Sequence, residues 1–197
     1  MKVVELIFDE NDLVNGVDAI SLVDRPAIES DFIALKSQEP DQLKLATVDK
    51  EKRVVMGAAL IPNRMIYRKS GKDEYYVYFT SETVRKASEM YLMNGKQNRA
   101  TLMHEVQVPG VSLVESWIVE GDQDKSRMYG LDAPVGSWMV SLKVNNDEIW
   151  QDYVKSGKVK GFSIEGYFSE KAEMAKQPTE DEIKVQAILD ILQKSNK

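Results

Sequence analysis

Residues 53–61 read Arg-Val-Val-Met-Gly-Ala-Ala-Leu-Ile and run into Pro62. The stretch is almost continuously apolar and shows no alternation, the pattern of a strand covered on both faces; the proline, with no N–H to give, ends it. Downstream, Tyr75–Phe79 alternates aromatic and β-branched residues and predicts another strand. Ser81–Asn94 predicts a helix, with Glu82 in the first turn, where the macrodipole favours an anion. Its buried face carries Val84, Ala87 and Tyr91, and Gly95 is placed for a left-handed cap. Ala100–Met103, Leu113–Glu120, Ser137–Val144 and Val159–Phe168 predict further strands. Asn146 can cap a short helix over 147–156, closed by Gly157.

Upstream, Val3–Phe8 and Val17–Val23 predict two strands around Asn15-Gly16, a strong hairpin-turn signal, and Arg25-Pro26 ends the second. Residues 37–52 are polar and read as a surface connection. A charged linker then precedes Thr179-x-x-Glu182, a capping box, and a helix with the apolar stripe Ile183, Ala187, Ile188 and Ile191. This divides the chain into a domain over 1–169 and a linker with an amphipathic helix over 170–197. About seven or eight strands with two internal helices predict an α+β domain, as a closed or partly closed β-barrel with helices outside or as a sandwich.

The 197 residues carry 26 Lys+Arg against 32 Asp+Glu, a net charge of −6, and 43% are hydrophobic. That mix is globular rather than disordered. The acidic balance argues against nucleic acid, whose phosphates need clustered cations. No apolar run reaches the roughly 18 residues of a membrane span, and the N-terminus lacks a signal-peptide pattern. The expectation is a soluble intracellular domain with no membrane or nucleic-acid partner. No cysteine is present, which excludes thiol chemistry and disulfides, and a single histidine excludes multi-His metal sites. No cofactor is implied.

Chemistry must therefore come from Ser, Asp, Glu, Lys and His104. His104 ends the 100–103 strand ahead of Pro109-Gly110, so it falls at a strand–loop junction, and any histidine-dependent step has only this residue. Ser163 lies in Gly161-Phe162-Ser163-Ile164-Glu165-Gly166, inside a strand. The spacing is not that of the α/β-hydrolase nucleophile elbow. Each alone reads as well as a structural residue; a serine nucleophile needs a base in hydrogen-bond reach, which only the fold can supply. Asp18, Asp24, Glu105, Glu115, Glu120 and Glu165 all flank strands, so a carboxylate-pair hydrolase is not excluded by count, although such charges usually form a solvated face. Trp117, Trp138 and Trp150 read as core, and the Lys155–Lys160 run as a solvated turn without a phosphate-loop pattern.

The motifs GVDAISLVDRPAI (16–28), RVVMGAALIPNRMIYR (53–68), EYYVYFTSETV (74–84), ATLMHE (100–105), ESWIVEG (115–121) and VKGFSIEGYF (159–168), taken in this order, resemble the XkdF-type serine proteases of tailed phages and prophages. The likeness spans roughly residues 1–170. It implies a prohead (capsid maturation) protease related to the herpesvirus assemblins, with a β-barrel surrounded by helices. It also implies His104 as base and Ser163 as nucleophile, with backbone amides stabilising the oxyanion. Glu165 departs from the commoner Ser-x-Gly pattern of such proteases. The acid-bearing stretch that follows the serine in many of them has its counterpart here at Ala19–Ala27, as if the strand order were permuted. The N-terminal strand would then pair beside the Ser163 strand, making Asp18 the third catalytic residue, with Asp24 second. The implied partners are scaffold and major capsid proteins inside the prohead, in the host cytoplasm, with self-association left open. The rival expectation is a non-catalytic capsid-assembly protein that keeps the fold.

Overall fold

The computed structural model describes residues 2–8, 16–28, 33–35 and 52–171. The polar connection up to residue 51, Asn15 and the C-terminal capping box with its helix lie outside the described residues. Among the described residues twelve strands occur in order: β1 (Lys2–Ile7), β2 (Gly16–Val23), β3 (Ile33–Leu35), β4 (Val54–Leu60), β5 (Ile66–Ser70), β6 (Asp73–Phe79), β7 (Ala100–Leu102), β8 (Val106–Gln107), β9 (Val111–Ile118), β10 (Trp138–Val144), β11 (Gly161–Tyr167) and β12 (Ser169–Glu170). Helix α1 (Ser81–Met93) follows β6, α2 (Lys125–Met128) follows β9, and a π-helical segment, Ile149–Lys155, precedes β11.

The closed or partly closed barrel expected from the sequence is not what the chain builds. Among the described residues the strands form three open four-stranded sheets, ordered β12-β1-β6-β5, β3-β4-β10-β9 and β11-β2-β7-β8. Closure requires every strand to be bonded on both sides; here each sheet keeps two edge strands. The architecture is mostly sheet with few helices. The hairpin expected at Asn15-Gly16 is also corrected. β1 pairs in parallel with β6 and antiparallel with β12, whereas β2 pairs with β11 and β7, so the two N-terminal strands sit in different sheets.

β4 behaves as its composition demands: Val55 to Leu60 are all buried, held between β3 and β10. Trp138, Met139 and Val140 on β10 are fully buried, and Tyr91 of α1 meets Trp138 edge-on at 5.6 Å between ring centroids. α1 follows the predicted face, burying Val84, Ala87 and Tyr91; the Thr80 hydroxyl caps it by accepting from the Thr83 N–H. The 147–156 helix forms as a π-helical turn over 149–155, and the Asn146 side chain accepts from the Ile149 N–H at 3.1 Å. Trp138 and Trp150 are core, as expected. Trp117 is only half-buried: its Nε1–H donates to the Asp124 carboxylate, so that end of the ring stays at the surface.

Candidate active site

The site grows from the sheet β11-β2-β7-β8. In register, Ser163 of β11 lies opposite Ser21 of β2, and Ser21 lies opposite Thr101 of β7. Residues facing each other across paired strands project to the same side, so these three hydroxyls form a row. Two residues along β11 from Ser163, Glu165 comes back to that same side. Its cross-strand neighbour is the small Ala19, which leaves room for the Thr101 hydroxyl to reach over and donate to Glu165 Oε1.

β7 carries His104 to this row through a tight turn. The Leu102 carbonyl accepts from the Glu105 N–H at 3.0 Å, and the two residues between, Met103 and His104, have φ of 53° and 62°. Left-handed backbone costs about 1–2 kcal/mol for each side-chain-bearing residue, so neighbouring groups must hold the turn. Two do so: the Met103 N–H donates to the Leu22 carbonyl at 3.0 Å, and the His104 N–H to the Ser21 Oγ, also at 3.0 Å. Ser21 is fully buried. From this position the imidazole Nδ1 lies 3.1 Å from Glu165 Oε1.

A carboxylate at Nδ1 favours the tautomer with its proton there, leaving the Nε2 lone pair free to take a proton, as a general base requires. The His104 side chain is 43% exposed, so a substrate can reach it. Ser163, 8% exposed, is held within the strand that carries Glu165. Ser163 and Glu165 thus stand on β11, and the imidazole at the end of β7 meets that strand at Glu165, with the buried Ser21 of β2 between them.

Asp18 is placed differently. As the sequence suggested, β2 does pair beside the Ser163 strand. Asp18 itself occupies an irregularity in that pairing, where Glu165 faces Ala19 and Gly166 faces Val17. Its carboxylate lies 2.8 Å from Arg99 Nη1 and 3.2 Å from Lys96 Nζ. The other acids have partners of their own: Asp24 lies 4.0 Å from Arg25, Glu115 is bonded to Lys125 and Ser141, and Glu120 reaches Arg85 at 3.5 Å, while Glu105 is exposed. Glu165 was legible in the sequence as one of several strand-flanking carboxylates and as a departure from the Ser-x-Gly pattern, not as the acid at the imidazole. The signal that marks it is Ser-x-Glu within one strand, a spacing of two that puts both side chains on one face.

The irregularity also explains Gly166. A Cβ there would fall 2.0 Å from the Gly16 carbonyl oxygen and 2.9 Å from Val17 Cα, so only glycine lets β2 approach.

Residues 42–173 match the model of a protein family described as "Putative phage serine protease XkdF". The chain belongs to this family. The XkdF match contains His104, Ser163 and Glu165 but begins after β2, so Asp18, Ser21 and the 16–28 motif lie outside it. No curated protein and no solved structure matches the chain.

Proposed function

We propose that this XkdF-family chain is a serine endopeptidase that cleaves scaffold and capsid-precursor proteins within the assembling prohead, in the host cytoplasm. Ser163 Oγ attacks the peptide carbonyl as His104 Nε2 takes its proton. The imidazolium then protonates the leaving amine, and water releases the acyl group by the same route. Glu165 holds the ring and offsets its positive charge. The observation that carries this reading is the 3.1 Å contact between His104 Nδ1 and Glu165 on the strand of Ser163. It takes Glu165 rather than Asp18 as the third member because Glu165 is the carboxylate at the imidazole, whereas Asp18 has adjacency of β2 and β11 as its support.

The test is incubation of the full chain with scaffold and coat precursor from the same phage, with products followed by mass spectrometry. Ser163→Ala and His104→Ala should each lower cleavage by about 10³-fold or more, since nucleophile and base act as a unit. Normal processing by either variant overturns the proposal. Wild-type chain that binds the scaffold and never cleaves it supports the non-catalytic assembly role.

A further inference from the structure

Beside β11 lies a cavity of about 350 Å³ that counts Ser163, Ile164 and Gly166 among its lining residues. Its opposite side is one face of the sheet β12-β1-β6-β5. Ile66 of β5 is paired with Val77 of β6, and Phe79 lies two residues further along β6 on that face. These three side chains, with Leu60 from the end of β4, are all buried and all line the cavity. These four side chains give the cavity an apolar wall. Its charge is at the rim: Arg68, two residues beyond Ile66 and opposite Tyr75, is exposed and lines the same cavity. Arg68 Nη1 donates to the Tyr67 carbonyl at 3.1 Å, and no carboxylate pairs with it among the described residues. The acid at the rim, Glu170, is already paired with Lys2 at 3.3 Å.

Resting on the serine-peptidase reading, we propose that this cavity is the specificity pocket, taking an apolar side chain of leucine or methionine character from the residue whose carbonyl Ser163 attacks, and that Arg68 favours an acidic residue next to it in the substrate. An apolar pocket gains by removing hydrocarbon from water. A cationic side chain placed there would meet Arg68, and the carboxylate of Glu170 is already held by Lys2. The guanidinium at the rim, with no carboxylate partner among the described residues, offers a carboxylate its fork of donors.

The experiment uses full-length chain. It is first treated with a small fluorophosphonate that has no peptide side chain to place. Labelling forms an Oγ–P bond at Ser163 and breaks P–F, fluoride leaving and the serine proton passing to His104. Absence of labelling overturns the serine-peptidase reading itself. The labelled case is followed with peptide boronic acids carrying leucine-, lysine- or glycine-like groups at boron, each preceded by Glu or Lys. The leucine analogue preceded by Glu should bind at least tenfold more tightly than the others. Ala27→Phe, which fills the cavity from a partly exposed position, should remove the leucine preference. Arg68→Glu should reverse the Glu-over-Lys preference. Labelling of Ser163 together with equal binding of all the boronates, or preferences that neither variant alters, overturns the pocket alone.

Discussion

His104 and Glu165 come within 3.1 Å of each other although 61 residues separate them in the chain, because β7 and β11 flank β2 in one sheet. A carboxylate at this distance favours the tautomer protonated on Nδ1. Glu165→Gln keeps the shape and removes the charge; it should lower kcat by about 10²–10⁴-fold with little change in KM. Steady-state kinetics on a cleavable precursor checks this. A fall confined to KM would make Glu165 a binding residue instead.

Asp18 supplies the comparison. Its carboxylate is half-exposed and paired with Arg99 and Lys96, so Asp18→Asn should remove no more than about 1 kcal/mol of stability and reduce kcat far less than Glu165→Gln. The two variants are measured side by side. The opposite ranking returns the third catalytic role to Asp18.

Ser21 acts through the backbone of His104. Ser21→Ala leaves a donor of a left-handed turn without its acceptor, a loss of about 1–3 kcal/mol. The imidazole should then lose its fixed orientation. We expect kcat to fall at least tenfold at unchanged KM, and the His104 ring resonances in NMR to shift or broaden. A stability loss with kcat and the ring resonances unchanged would limit Ser21 to a structural role.

Gly166→Ala should be among the most damaging small substitutions in the molecule. The new methyl has no space against the Gly16 carbonyl, so β2 and β11 must separate. A loss of more than about 3 kcal/mol in urea unfolding is expected, with activity lost alongside it. Near-wild-type stability would show that the strands can spread without harm.

A pH effect is expected away from the site. The Lys125 ammonium at 2.5 Å and the Ser141 hydroxyl at 2.6 Å hold the Glu115 carboxyl below its ordinary value of 4.5. Burial pushes Asp124 up, but bonds from Ser126 and Trp117 outweigh it, leaving that carboxyl below its ordinary value of 3.8. A carboxylate depressed in the folded state adds stability above its unfolded pKa, and that stability disappears as pH falls through the folded one. Unfolding midpoints should therefore drop as pH is lowered from about 4.5. Glu115→Gln should flatten that dependence; an unchanged slope would mean that the link between β9 and α2 does not sense acid.

The sequence by itself determined the local elements. The apolar run at 54–60 had to be a covered strand because no face of it can meet water, and Val84, Ala87 and Tyr91 had to share a helix face because of their spacing. The residue count also narrowed the chemistry: a single histidine leaves one choice of imidazole base. Composition and periodicity carry no information about which strand lies beside which. The parallel pairings β1 with β6 and β2 with β7 join segments far apart in the chain, and among the described residues the strands that by count suggested a barrel or a sandwich fall into three open sheets. The same long-range pairing chose the carboxylate. Glu165 reaches His104 because Ala19 is small and Ser21 clamps a left-handed turn, and both facts arise only once β2 lies between β11 and β7.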